Sequence, residues 1–141
     1  ELKLKRCLAH SRMLSSDVNA AFDPLYSDVF KNNSSSFLGS GVVFNKFTGS
    51  RGKSGSNDAN AEYLAVLRNI MDNHNVHFQM SELGKVDAGG GGTIAYIMSL
   101  YGMEVIDCGV AVLNMHAPWE VTSKADIYEA EKAYKAFLEN A

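Results

Sequence analysis

An apolar run near the end of the chain, residues 105–115, most constrains the fold. It is rich in β-branched residues and predicts a buried strand. His116 closes this run, and Asp17 follows a shorter apolar stretch at residues 13–16.

A buried imidazole or carboxylate needs a partner, because an isolated buried charge is strongly unfavourable. A divalent cation such as zinc, manganese or cobalt is the simplest one. The pattern therefore predicts Asp17 and His116 as metal ligands. For His116 alone, an imidazole satisfied within the core is an equally good interpretation.

The composition predicts one ordered domain. Of the 141 residues, 46% are hydrophobic and 21% are charged, which supplies enough apolar material for a core. A net charge of -3 without any stretch dense in Lys and Arg argues against nucleic acid or an anionic membrane as the main partner. No apolar run in the sequence is long enough to span a bilayer, and we predict a cytoplasmic protein. Cys7 and Cys108 are too far apart to indicate a disulfide framework or a Cys-rich zinc site.

The periodicity of apolar residues predicts alternating helices and strands. Helices are predicted up to residue 11, over 59–73, over 94–100 and over 124–139, with Asn57 or Asp58 capping the second and Ser123 the last. Strands are predicted over 12–18, 41–47, 77–80 and 103–110. Residues 19–40 and the glycine-rich 48–58 are predicted as loops. This alternation predicts an α/β three-layer architecture with a mainly parallel or mixed sheet.

Four consecutive glycines precede the predicted helix over 94–100: Gly89, Gly90, Gly91 and Gly92. Backbone N–H groups at the start of a helix suit a phosphate, a carboxylate or a polarised carbonyl oxygen. A tight turn that needs positive φ is an equally good interpretation. The spacing matches neither of the two common nucleotide-binding glycine patterns, so nucleotide binding is only an alternative.

The other three histidines lie in polar or helix-end settings. His10, His74 and His77 have no pattern of carboxylates around them in the sequence. We therefore interpret each of them as a solvated or capping residue.

Taken together, four segments resemble the C-terminal part of the M18-family metalloaminopeptidases. They are residues 15–24 with Ser15-Ser16-Asp17, residues 48–59 with their glycine-rich stretch, residues 87–95 with the four glycines, and residues 103–118 with Met115-His116. The similarity runs in order over essentially the whole chain, which is far more specific than any single motif. It is nearest to the aminopeptidase I branch of the family.

This resemblance implies a zinc-peptidase-like catalytic domain of the phosphorylase/hydrolase-like α/β type. Residues 1–141 would be its C-terminal portion, incomplete at the N-terminal side. The family removes the N-terminal residue from peptides at a pair of metal ions, usually zinc, with manganese or cobalt as substitutes. Asp17 matches the ligand of the Ser-x-Asp motif, and His116 matches the ligand of the Met-His motif. The other ligands and the general-base Glu lie upstream in the family, so we predict no catalytic acid or base here and no activity of this chain alone.

The resemblance also implies the partners and the substrate. These are a peptide, the missing N-terminal half of the enzyme, and further copies in a hollow tetrahedral dodecamer. Substrate contacts are predicted at Lys46 and at the four glycines, which would dock the peptide main chain. The sequence around Lys46 departs from the acidic-specific branch, so we predict neutral or hydrophobic N-terminal residues. Two other functions stay open: an α/β module that binds an anion at the glycine turn, and a structural assembly fragment.

Overall fold

The computed structural model describes residues 1–50, 54–85 and 90–141. Its helices are α1 (Leu2–Ala9), α2 (Ala61–Asn73), α3 (Ala95–Ser99) and α4 (Lys124–Asn140). Its strands are β1 (Arg12–Ser15), β2 (Asn19–Ala20), β3 (Val42–Ser50), β4 (Ser54–Asp58), β5 (Phe78–Glu82), β6 (Glu104–Gly109), β7 (Ala111–Leu113) and β8 (Val121–Thr122). Two short 3-10 helices, Pro24–Val29 and Asn32–Ser34, lie between β2 and β3.

The strands form two sheets. In the first, the order is β1-β6-β3-β4, and β5 also pairs with β3. The β1–β6 and β3–β5 pairs are parallel, whereas β3 is antiparallel to both β6 and β4. In the second sheet, β7 lies between β2, to which it is parallel, and β8, to which it is antiparallel. The predicted α/β architecture with a mixed sheet is confirmed.

Helices α2 and α4 cover one face of the first sheet. Both helices place apolar residues at three- and four-residue spacing, which gives each one a single buried face. In α4 this face is made of alanines, whose small side chains permit close packing. The core contains these fully or largely buried residues: Val42, Phe44, Tyr63, Leu67, Ile70, Met71, Ile106, Cys108, Ala130, Ala133 and Ala136.

Two parallel segments pass side by side from the first sheet into the second. β1 leads into β2, and next to it β6 leads into β7. The pairing keeps the same offset on both sides of the crossing, with Ser15 opposite Asp107 and Asn19 opposite Ala111. The prediction of one continuous buried strand over 105–115 is wrong, because the chain changes sheets at Val110, whose carbonyl accepts from Asn19 N at 2.9 Å.

The glycine-rich segment 48–58 is not a flexible loop, and that prediction is wrong for its described part. β3 extends to Ser50 and β4 occupies Ser54–Asp58, while residues 51–53 lie outside the described ranges. Thr48 and Asn57 are buried, and Asn57 Nδ2 donates to Val105 O at 2.9 Å. These contacts with β6 stabilise the strand, and local composition does not reveal them.

The start of α2 is also corrected. Asn60, rather than Asn57 or Asp58, is the N-cap, and its Oδ1 accepts from Tyr63 N at 2.7 Å. Ser123 does occupy the N-cap position of α4, as predicted. None of the helices in the described ranges is both long enough and apolar enough to cross a bilayer.

Candidate metal and substrate site

Asp17 lies in the link between β1 and β2, where the chain leaves the first sheet. Its N–H donates to Ser15 O at 2.8 Å, and its Oδ1 accepts from Val18 N at 2.9 Å. On the neighbouring segment, Gly109 packs directly against the Asp17 backbone: a Cβ added at Gly109 would lie 2.0 Å from Asp17 O. The link is therefore held at its two ends, where β1 pairs with β6 and β2 pairs with β7, and in its middle, where Gly109 packs against the Asp17 backbone.

Helix α4 also holds this link through Tyr134. Ser16 Oγ donates to the Tyr134 hydroxyl at 2.7 Å, and that hydroxyl donates to Cys108 O at 2.8 Å. Burial raises the pKa of Tyr134, while the hydrogen bond from Ser16 opposes the shift. The Tyr134 side chain thus connects the residue before Asp17 to β6.

His116 lies in the turn that follows β7. Its φ is 69°, a left-handed conformation that is unfavourable for a residue with a Cβ. The turn is held by a bond from His116 N to Glu120 Oε1 at 2.7 Å and by one from Ala117 N to Asn114 O at 2.9 Å.

Asp17 and His116 line one cavity of about 450 Å³. The remaining lining residues are mostly apolar or glycine: Val18, Ala20, Val29, Phe30, Leu83, Gly84, Gly90, Gly91, Gly92, Thr93 and Met115. The expectation that Asp17 and His116 are buried is wrong, because both residues are exposed. Neither one therefore needs a cation to offset burial, and the case for a metal depends on their shared cavity instead.

The donor chemistry of this pair fits zinc, but the pair is incomplete. Carboxylate oxygen and imidazole nitrogen are ordinary zinc ligands, and a catalytic zinc keeps about three protein ligands. Within the ranges that the structure describes, no three His, Cys, Asp or Glu residues are grouped closely enough to hold a metal ion. The metal role of Asp17 and His116 stays a prediction that requires at least one further ligand.

The glycines form another part of the cavity wall. Gly90, Gly91 and Gly92 line it, whereas Gly89 lies outside the described residues. Gly90 has a φ of 82°, and a Cβ there would lie 2.5 Å from Leu83 O, so the chain requires glycine at this position.

The glycines do not lead directly into a helix. Helix α3 begins at Ala95, and the Ala95 N–H donates to Thr93 Oγ1 at 3.2 Å. The helix is also only five residues long, so its end offers little to an anion. The geometry gives no support to the anion-binding alternative.

Lys46 is not one of the described residues that line this cavity. Its ammonium group pairs with Asp58 across the β3–β4 hairpin. Its role as a substrate contact stays a prediction. His10 and His74 are the C-cap residues of α1 and α2, and His77 is exposed, so the solvated or capping interpretation of the three histidines is confirmed.

Sequence reasoning missed Asp107, which lies beneath the cavity wall in β6. It is 0% exposed, and its Oδ2 accepts from Thr93 Oγ1 at 2.8 Å and from Thr48 Oγ1 at 3.2 Å. Its Oδ1 has no hydrogen-bond partner among the described residues. A signal was present, since Asp107 interrupts the same apolar run that drew attention to His116.

The environment of Asp107 opposes its ionisation. Burial raises its pKa, and the charge of Asp17 adds to this shift. The hydroxyls of Ser15, Thr93 and Thr48 act in the opposite direction. The Ser15 hydroxyl is near enough to favour the ionised form, although it does not meet hydrogen-bond geometry with any described group.

Comparison with known proteins identifies the family. Residues 1–138 match the family model described as aminopeptidase I zinc metalloprotease (M18). The chain belongs to the M18 aminopeptidase family. The family fold is that of a zinc peptidase, which agrees with the α/β architecture described above.

Individual M18 relatives match nearly all of this chain. It is 66% identical to "Probable M18 family aminopeptidase 1" of Clostridium acetobutylicum over 140 residues, which are 99% of this chain and 30% of that protein. The crystal structure of the Clostridium acetobutylicum aminopeptidase I superposes with a TM-score of 0.90 at 66% identity, covering 98% of this chain and 30% of that one. The crystal structure of the M18 family aminopeptidase from Thermotoga maritima superposes with a TM-score of 0.92 at 44% identity, covering 99% of this chain and 31% of that one.

A more distant relative is the aspartyl aminopeptidase 4 of Saccharomyces cerevisiae. It is 30% identical over 132 residues, which are 93% of this chain and 26% of that protein. The chain therefore spans about 30% of the length of the curated M18 relatives that it matches.

Proposed function

We propose that this chain contributes Asp17 and His116 as two ligands of a dinuclear zinc site in an M18 aminopeptidase. The observation that carries the proposal is the meeting of these residues at one cavity, although they lie near opposite ends of the chain. The remaining ligands and the general base would come from the rest of a longer protein. Zinc ions bound there would polarise the scissile carbonyl and activate the attacking water.

The cavity wall also suits peptide docking. Glycines leave backbone N–H and C=O groups accessible, and three of them line the cavity with the two proposed ligands. Main-chain groups at Gly91 and Gly92 would pair with the substrate main chain and orient its first peptide bond. Orientation of the reacting bond contributes strongly to catalysis.

The lining of the cavity favours a neutral or hydrophobic N-terminal residue. Six of its described residues carry apolar side chains: Val18, Ala20, Val29, Phe30, Leu83 and Met115. Among the described lining residues there is no Lys or Arg that could bind a substrate carboxylate. We expect leucine or methionine substrates to be cleaved in preference to aspartate, even though one yeast relative is named as an aspartyl aminopeptidase.

We also propose that the intact protein is a homo-oligomer. A Saccharomyces cerevisiae protein with this fold, mApe1, is described as a dodecamer; it has 22% identity and a TM-score of 0.75. Native mass measurement of the full-length protein tests this, and a monomer at micromolar concentration would contradict it. The cytoplasmic location stays a prediction.

The test of the metal assignment uses the full-length protein with Asp17→Asn and His116→Ala. Asp17→Asn replaces the anionic carboxylate with a neutral, much weaker amide ligand, and His116→Ala removes the imidazole. We therefore expect zinc content to fall to about half or less and hydrolysis of a leucine substrate to fall by at least about 10³-fold. Exposed residues of the same type give matched controls: Asp72→Asn for the carboxylate and His77→Ala for the imidazole.

Zinc is measured by elemental analysis and activity by release of the free amino acid. We expect both controls to keep wild-type zinc and activity. Wild-type zinc content in Asp17→Asn and His116→Ala would refute the ligand assignment. Cleavage of aspartate in preference to leucine would refute only the proposed specificity.

A further inference from the structure

Four polar residues lie in a row across the middle of the first sheet. Ser15 is paired with Asp107, Asp107 with Asn45, and Asn45 with Ser81, so directly opposed positions link four neighbouring strands. All four are at most 3% exposed. Paired positions share a face of a sheet, and this face is opposite the one covered by α2 and α4.

This row of buried polar residues lowers the stability of the fold, so stability does not explain why it is there. Asp107 has an unpartnered Oδ1, and the Ser15 hydroxyl is also unpartnered among the residues described here. A buried polar atom without a hydrogen-bond partner is destabilising, and an apolar residue at either position would avoid that cost. Buried polar groups that work against stability tend to occur at functional sites.

The bonded oxygen of Asp107 connects directly to the cavity wall. Thr93 lines the cavity and is only 8% exposed, and its hydroxyl donates to Asp107 Oδ2 at 2.8 Å. The same hydroxyl accepts from Ala95 N at 3.2 Å. Thr93 is therefore held from both sides, by β6 below and by the first turn of α3 beside it.

Asp107 also lies next to the segment that carries Asp17. Its direct neighbour in β1 is Ser15, whose carbonyl accepts from Asp17 N at 2.8 Å. One buried carboxyl thus lies between the end of β1 and the wall that contains Gly91, Gly92 and Thr93.

We propose that Asp107 is a positioning residue, which holds Thr93 and, through it, the glycine wall in the geometry that docks the substrate main chain. This inference rests on the proposed aminopeptidase function. Asp107 does not line the cavity in the described part of the chain, so it acts on substrate only through Thr93.

The two threonines that donate to Asp107 allow a matched comparison. Thr93 lines the cavity, whereas Thr48 donates to the same oxygen but is absent from the described lining; the two threonine hydroxyls are 3.5 Å apart. Thr93→Val and Thr48→Val each remove one buried hydroxyl at nearly constant volume. Thr93→Ser keeps the hydroxyl and serves as the conservative rescue.

The experiment measures kcat and KM of the full-length zinc-loaded protein on a leucine peptide. For Thr93→Val, and for Asp107→Ala, which removes the oxygen that accepts from Thr93, we expect KM to rise by about tenfold, with kcat changed by less than about threefold. For Thr48→Val and Thr93→Ser we expect KM within about twofold of wild type. In a double-mutant cycle, Thr93→Val and Asp107→Ala together should raise KM no more than either one alone.

A purely structural role predicts a different pattern. If Thr48→Val raises KM as much as Thr93→Val, or if the Thr93 and Asp107 effects multiply, the positioning role is overturned. A second measurement does not depend on activity: amide hydrogen exchange should accelerate over residues 90–97 in Asp107→Ala and stay at the wild-type rate in Thr48→Val.

The outcomes for the two proposals can be told apart. If the wild-type protein does not cleave peptides, the proposed function fails, and hydrogen exchange alone decides whether Asp107 orders the wall. If the wild type is active and exchange over residues 90–97 is the same in Asp107→Ala as in wild type, the positioning role is wrong while the aminopeptidase function stands.

Discussion

Gly109 lies against the backbone of Asp17 so closely that no other residue fits there. A Cβ on Gly109 would lie 2.0 Å from Asp17 O and 2.7 Å from Asp17 C, and both of these atoms are backbone. The two residues occupy the crossing between the sheets, where β1 and β6 end together. The position of Asp17 therefore depends on the absence of a side chain on the neighbouring segment.

Gly109→Ala is expected to displace Asp17. The backbone must move to relieve the contact, which should lower the free energy of unfolding by about 1–3 kcal/mol and zinc affinity by about tenfold or more. Zinc affinity is measured by competition with a chromophoric chelator. Gly39→Ala is the control, because the described structure places no atom within 4 Å of its added Cβ. Gly39→Ala should be less stable than wild type, because alanine is strained at a φ of 79°, but it should keep wild-type zinc affinity. If Gly109→Ala and Gly39→Ala bind zinc equally well, Gly109 does not determine the position of Asp17.

The left-handed conformation of His116 predicts an unusual ranking of two substitutions. Glycine adopts a φ of 69° without strain, whereas alanine does not, so metal-free His116→Gly should be more stable than His116→Ala by about 1 kcal/mol. His77 is exposed and is not among the described residues with positive φ, so the ranking should reverse there. Thermal melts of the four variants test this; the same ranking at both histidines would show that the His116 backbone is not strained.

Asp126, in the first turn of α4, is expected to be essential for stability. It is 0% exposed, and its two carboxylate oxygens accept from Gly39 N and Gly41 N at 2.8 Å each. Asp126→Ala leaves two backbone N–H groups without their acceptors, so we expect a loss of about 3 kcal/mol in urea unfolding. Lys124→Ala, at an exposed position in the same turn, should change stability by less than about 0.5 kcal/mol. A similar loss in the two variants would contradict this account.

The raised pKa of Asp107 predicts how stability depends on pH. Burial is the main cause of the shift, so the folded protein keeps the Asp107 proton at pH values where the unfolded chain has lost it. Its contribution is complete below the ordinary aspartate pKa and is lost as pH rises through the folded pKa. In chelator-treated protein, the melting temperature of wild type relative to Asp107→Asn should therefore fall as pH rises from about 4 to 8. A difference that is flat, or that grows with pH, would show that Asp107 is ionised in the fold.

Adjacent glycines in the cavity wall should respond differently to substitution. Gly90→Ala places a Cβ 2.5 Å from Leu83 O at a φ of 82°, so it should destabilise the protein. Among the described residues, a Cβ at Gly91 meets only Leu83 Cδ2 within 4 Å, at 3.5 Å, which is ordinary contact. Gly91→Val should therefore fold normally and raise KM for peptides by about tenfold, because its side chain enters the docking space. Unchanged kinetics in Gly91→Val would dismiss peptide docking at this wall.

The sequence was most informative where polar residues interrupt or close apolar runs. Asp17 and His116 were found in this way, and the structure brings both of them to one cavity. Burial does not explain their role, because both side chains are exposed. A period-two pattern shows where a strand could run, but it does not show that β6 ends at Gly109 and that the chain then enters another sheet.

Long-range contacts account for most of what could not be predicted. The segment containing Thr48 and Asn57 is polar and rich in glycine, which is typical of loops, yet both side chains are buried against β6. Asp107 was overlooked because its partners lie 14 and 59 residues away in the sequence. Pairings at such distances depend on topology, and local patterns do not contain them.

The polar row of Ser15, Asp107, Asn45 and Ser81 also bears on how the chain avoids misfolding. If one of these strands slipped by a single residue, its polar side chain would turn toward the apolar layer under α2 and α4, and an apolar neighbour would take its place. Each mispaired state would then bury an uncompensated polar group, which makes it less stable than the native state. The same four residues would thus favour one strand alignment over its neighbours during folding.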